Sequence, residues 1–134
     1  MSSISSIAIS GLSAASLRLQ VSANNVANAM SAGPLPGSAA SGSFPSAYSA
    51  ERVNQTALAG GGTSATVTTV SPATVPAYDP IAPYADSHGM VASPNVDLAN
   101  EVVQQLMARL SFAANAQMLK ADARMTASLL DITA

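Results

Sequence analysis

Cysteine and tryptophan are absent from this chain, and charged residues make up only 9% of it. Without cysteine there can be neither disulfides nor thiolate metal sites, and a single histidine, His88, leaves transition metals almost nothing to bind. Neither a cofactor nor a metal is expected. Aromatics are 4% of the residues, and the 49% hydrophobic fraction is dominated by alanine, so few side chains can fill a thick interior. An ordinary soluble domain carries about 25% charge. With so little here, something other than water is expected to cover much of the surface.

The five basic residues, Arg18, Arg52, Arg109, Lys120 and Arg124, are scattered in a chain of net charge −2. That is no phosphate-binding footprint, so nucleic acid is not an expected partner. No basic residue precedes Arg18, and no continuous apolar core of the kind a secretory signal needs stands near the start; any export is expected to proceed without a cleavable signal. Ser, Asn, Gln or a charge interrupts every run well short of the ~20 apolar residues of a bilayer span, so a transmembrane protein is not expected.

What is present falls into three segments, 1–30, 31–96 and 97–134. The first has no proline and one glycine, and Ile4, Ala8, Leu12, Ala15, Leu19 and Val26 recur at helical spacing. A helix over 4–30 is expected, stopped by Gly33 and Pro34. The middle holds all eight prolines and seven of the eight glycines, which forbids a long helix. Within it, 48–57 and 63–70 read as strands, with Gly60, Gly61 and Gly62 as the hairpin loop between them, and 38–46 reads as loop or disorder. From 97 to 132 there is neither proline nor glycine. Asp97 is placed to cap this last helix, and Val103, Met107, Leu110, Ala114, Met118, Ala121, Met125, Leu129 and Ile132 form one stripe at about 3.6 residues per step.

The fold class implied is mainly α. Long N- and C-terminal helices pack as an antiparallel, coiled-coil-like pair, and the middle segment is loop-rich with a small β-hairpin. Two helices alone are a marginal unit, and alanine-rich faces let helices approach closely. Burial is therefore expected to be completed by sister chains, through Leu12, Ala15, Leu19 and Val26 with Val103, Met107, Leu110, Ala114 and Ala121. If the contact runs head to tail without closing, a filament or tube results.

Catalytic groups are scarce. Asp86, Ser87 and His88 are sequence neighbours, and a triad is assembled across a fold rather than along one loop; Asp79 and Asp86 are expected to serve turns. The glycine triplet has no following Lys-Ser/Thr, so it is no phosphate loop. No enzyme and no small-molecule substrate is expected. Asn24, Asn25 and Asn28 are unusual in a helix, where Asn is a poor interior residue. They are expected either to fray the helix end or to make polar contacts between subunits.

The stretch from Ser10-Gly11-Leu12 through Asn24-Asn25-Val26-Ala27-Asn28 resembles the amino-terminal signature of flagellar rod and hook proteins. The run Tyr78-Asp79-Pro80, Pro83, Ala85-Asp86, Gly89 and above all Pro94-Asn95-Val96-Asp97, together with Glu101, Phe112, Ala114-Asn115 and Met125 in the last helix, is similar to the proximal-rod members of the flagellar basal-body rod family. The resemblance implies a torque-transmitting structural subunit of the periplasmic rod, exported through the flagellum's own apparatus. Its partners would be copies of itself, other rod proteins, and components of the basal-body base and export apparatus. The terminal helices would form a dense inner layer and the middle lobe would face outward. Another rod or hook member is the nearest rival. A reading from another class is an amphipathic protein on membrane surfaces, which would call for a Lys/Arg-rich polar face and aromatic anchors; segment 4–30 offers only Arg18 and no aromatic.

Overall fold

The computed structural model describes residues 3–132, the side chain of Ile132 excepted; the outermost residues of the segments 1–30 and 97–134, and Ile132 as the last member of the apolar stripe, lie outside this description. Helix α1 spans Ser3–Ala27 and helix α2 Leu98–Ile132, and between them lie β1 (Glu51–Ala57), β2 (Thr63–Thr69), β3 (Thr74–Tyr78) and β4 (Met90–Pro94). α1 stops three residues before the expected Met30, because residues 28–31 close tighter turns, with Ala29 N donating to Val26 O and Ser31 N to Asn28 O. α2 begins where expected. The Asp97 carboxylate accepts from the amides of Ala99 and Asn100 at 2.9 and 3.2 Å, satisfying donors that the first helical turn leaves without partners.

β1 and β2 pair antiparallel from Glu51 opposite Thr69 to Ala57 opposite Thr63. Gly61 and Gly62 take the left-handed turn conformations between them, with φ of 89° and 85°, and a Cβ on Gly62 would strike the Ser10 hydroxyl, so the hairpin tip lies on α1. The strand expected from Tyr48 starts instead at Glu51, since Tyr48 N is taken by Ser31 O. Of the stretch 38–46, read as loop or disorder, residues 38–43 close ordered tight turns, Ser41 N donating to Ser38 O and Ser43 N to Ala40 O.

A second hairpin, β3 with β4, was not expected. Proline inside a run argues against a strand because it removes a ladder donor, and both strands contain one. Ala92 explains why this one forms. Its N–H and C=O both bond to Gly33, at 2.8 and 3.0 Å, so they point away from β3, and the pair Pro76–Ala92 is one of the non-hydrogen-bonded sites of the ladder. Pro94 opposite Thr74 has the same parity. No donor is missed at either proline.

The two helices pack antiparallel: Ser5 of α1 donates to Asp122 of α2, Gly11 lies against Asn115, and Asn25 reaches Glu101. The first hairpin packs against α1 as well. The buried apolar residues are nearly all alanines, with Val21 and Val91, and Ala108 is the one on α2. By length and composition α1 would also qualify to cross a membrane, which its interrupted apolar runs did not suggest. Here it lies between α2 and the hairpin, with Ser22 and Asn25 buried.

Gly33 is closed in by backbone. A Cβ there would lie 2.4 Å from Ala47 N and 2.7 Å from Pro45 O, both backbone atoms that cannot swing aside. Gly33→Ala should part the Gly33–Ala92 bridge and lower unfolding stability by about 1–3 kcal/mol, read as a lower urea midpoint.

Candidate subunit interface

Along α2, the side chains turned toward α1 recur with heptad spacing: Glu101, Gln105, Ala108, Asn115, Leu119 and Asp122, each partly or fully buried. The matching residues of α1 are Ala8, Gly11, Ala15, Ser22 and Asn25. A period of 3.5 is the coiled-coil repeat, but the seam is filled with small and polar side chains where leucine or isoleucine would be usual. Ser5 and Ser22 bond across it, to the Asp122 carboxylate and to Glu101 O. Leu119 is the only large aliphatic among these residues.

The apolar stripe of α2 is elsewhere. Val103, Met107 and Leu110 are 46%, 50% and 63% exposed, and Ala114 and Ala121 are exposed beside them. Met118, Met125 and Leu129 continue the stripe, each more than half exposed. On α1, Leu19 and Val26 are partly exposed, at 40% and 39%, and Leu12 is half-buried. Ala15 departs from this group. Buried beside Ala108, it belongs to the chain's own seam and is not left for a neighbour.

Asn25 is the clearest correction. It is 2% exposed, and its side-chain amide is saturated within the chain. Nδ2 donates to Glu51 O and to Glu101 Oε1, both at 2.7 Å; Oδ1 accepts from Glu51 N at 3.0 Å and from the Tyr48 hydroxyl at 2.9 Å. The amide thus pairs with the Glu51 peptide as a neighbouring strand would, and holds α1, β1 and α2 together. It is no intersubunit contact. The signal that could have found it is its place on the 3.5 spacing of Ala8, Gly11, Ala15 and Ser22. Asn24 and Asn28 lie toward the surface, where Asn24 Nδ2 donates to the Tyr48 hydroxyl and Asn28 Nδ2 to Asn24 O and Oδ1.

The Pro94-Asn95-Val96-Asp97 element joins β4 to α2. Pro94 is buried, Asn95 Nδ2 donates to Pro72 O at 2.9 Å, Val96 N closes a three-residue turn on Pro94 O, and Asp97 caps the helix. Asp86 serves a turn, as expected, its Oδ1 accepting from His88 N and Met90 N at 2.8 Å; those two bonds pull its pKa below the ordinary value. Among the described residues no group of three or more His, Cys, Asp or Glu is arranged to hold a metal ion.

Two terminal helices joined by a polar seam, with the larger apolar side chains left outward, describe a subunit that completes its burial against other chains. Residues 87–132, covering β4, the capped turn and α2, match the family described as flagellar basal body rod FlgEFG protein C-terminal. A relative is similar along nearly the whole length as well, and the chain belongs to the flagellar basal-body rod protein family. That relative is the flagellar basal-body rod protein FlgC of Agrobacterium fabrum (strain C58), 32% identical over 143 residues that cover 98% of this chain and 94% of FlgC.

Two predictions rest on the Asn25 hub. Asn25→Ala leaves the Glu51 peptide groups without their partner, and at ~1–3 kcal/mol for each unsatisfied buried group the urea-derived stability should fall by about 2–4 kcal/mol. Burial, together with the charges of Glu51 and Glu101, raises the Tyr48 pKa. A raised pKa means the folded chain keeps the phenol proton more firmly than the unfolded chain does. Its contribution is therefore complete below the unfolded value of about 10 and is lost as pH climbs through the folded value. Melting temperature should drop over that range, and the drop should shrink in Tyr48→Phe.

Proposed function

We propose that this chain is a non-enzymatic structural subunit of the proximal part of the flagellar rod, polymerising through α1 and α2 with copies of itself and other rod proteins. The observation that carries the reading is the exposed apolar stripe of α2. Side chains from Val103 to Leu129 are about half exposed or more, and transfer of such surface from water yields roughly 25 cal/mol per Å². Each large residue covered by a neighbour adds on the order of 1 kcal/mol, repeated along the helix and from chain to chain. Leu12, Leu19 and Val26 of α1 flank the same assembly. Asn24 and Asn28, toward the surface at the end of the helix pair, supply polar contacts to the next subunit.

The rod formed in this way lies in the periplasm, reached through the flagellum's own export apparatus, and the basal-body base is its anchoring partner. Its task is to carry torque. Many close helix contacts resist shear better than a few large ones, because packed interiors are stiff and do not deform smoothly. The two hairpins form the lobe facing away from the dense helical layer.

Ala114 lies in the middle of the exposed stripe, so Ala114→Phe leaves the intrachain seam untouched and inserts bulk where a neighbouring helix must sit. In cells lacking the native chain, the variant should be expressed with normal helix content yet restore less than a tenth of wild-type swimming. Full motility would overturn the reading.

A further inference from the structure

The seam between α1 and α2 contains groups that match only in one alignment. Gly11 is the one glycine of α1, and it lies under the Asn115 side chain, so close that a Cβ at position 11 would meet Asn115 Cγ and both terminal atoms at 2.5–2.6 Å. Asn115 Nδ2 is held back on Ser111 O at 2.8 Å, which fixes the bulk that Gly11 must accommodate. Toward one end of the pair Asn25 reaches Glu101 at 2.7 Å; toward the other Ser5 donates to Asp122, which is 7% exposed. Residues 5, 11 and 25 thus meet 122, 115 and 101 in a single antiparallel count.

Sliding α1 by one heptad keeps the helical geometry and the small residues in contact, but every one of these matches fails. Asn115 would then face Arg18 or Ile4 instead of a glycine. Asn25 would face Ala108 or lie beyond the start of α2, and Asp122 would lose Ser5. Each failure buries a polar group without its partner or drives a side chain into backbone. An apolar alanine or leucine seam would tolerate the slide, and a polar residue at one seam position is the best attested device for specifying register.

We infer that Glu101, Asn115 and Asp122 are positioning residues which restrict α1 and α2 to one antiparallel register, and so fix the height of the α2 stripe relative to the β-lobe. The register itself is a property of the single chain; its consequence for polymerisation rests on the function proposed above.

Because the chain has no cysteine, paired nitroxide labels can be placed without removing any. Gln20→Cys and Gln117→Cys, both exposed, report the axial offset of the helices in the full-length unassembled protein. One narrow distance is expected for the otherwise native chain. With Glu101→Ala, Asn115→Ala and Asp122→Ala added, helix content should persist, since alanine favours helix, and a second population should appear, displaced along the axis by about 10 Å, one heptad at 1.5 Å per residue. Glu101→Gln keeps the oxygen that Asn25 needs and should keep the single distance. Two distances in the native sequence, one unshifted distance in the triple variant, or loss of its helices would each overturn the inference, the last because the groups would then carry stability and not alignment. None of these outcomes depends on motility, so failure here is separable from failure of the rod assignment.

Discussion

Everything in this fold follows from an α1–α2 seam built of small and polar side chains. Alanine, glycine and serine on α1 let the helices come close, and Asn25, Glu101, Asn115 and Asp122 occupy positions where a coiled coil would place large aliphatics. Since small and polar residues hold nearly all the seam positions of α2, its valines, its methionines and every leucine but Leu119 are turned out. A soluble monomer arranges these two faces the other way round. The composition acquires its sense from the proposed function, under which an outer helical surface that is to meet other protein has little use for charge.

The helices and the first hairpin were legible because their signals are local. Proline and glycine are confined almost wholly to the middle segment, Asp97 precedes an uninterrupted helical run, and the glycine triplet leads into the β-branched stretch 63–70. The second hairpin was hidden by Pro76 and Pro94, and the Gly33–Ala92 bridge that makes them harmless joins residues far apart in the chain. Which face of α2 turns inward was equally hidden. Its strongest periodic signal is the apolar stripe, while the seam is marked only by Glu101, Ala108, Asn115 and Asp122 repeating every seven residues. That repeat is visible once a polar seam is considered. The three asparagines stood out as odd in a helix, and only the 3.5 spacing shared with Ala8, Gly11, Ala15 and Ser22 separates the buried Asn25 from Asn24 and Asn28; its partners Glu51 and Tyr48 are brought in by the middle segment.

A polar seam costs stability relative to an aliphatic one. Hydrogen bonds that replace bonds to water contribute about 1 kcal/mol each, less than a buried leucine at ~1.5–3 kcal/mol. What the polar groups add is discrimination, for a misaligned pair would bury unmatched donors and acceptors at a cost similar to their whole favourable contribution. In the proposed rod subunit, whose apolar surface would be presented to neighbours, alignment matters more than the strength of the intrachain pair. An error of one heptad would displace the whole stripe by about 10 Å, and every copy stacked on it would inherit that displacement.

The two helices are not equivalent in this respect. α1 is covered on two sides, by α2 and by the β1–β2 hairpin whose tip lies over Ile7 and Ser10, whereas α2 packs extensively against α1 alone. α2 is also the longer, 35 residues against 25, and since Ser5 stands opposite Asp122 its C-terminal end runs past Ser3, the first described residue of α1. The family match covers this barer helix together with the strand and cap that anchor it. An assembly surface should be sought where the chain leaves most apolar area uncovered and holds it most firmly at the root, and in this protein both conditions meet in α2, fastened at Asp97 by its cap and at Glu101 by Asn25.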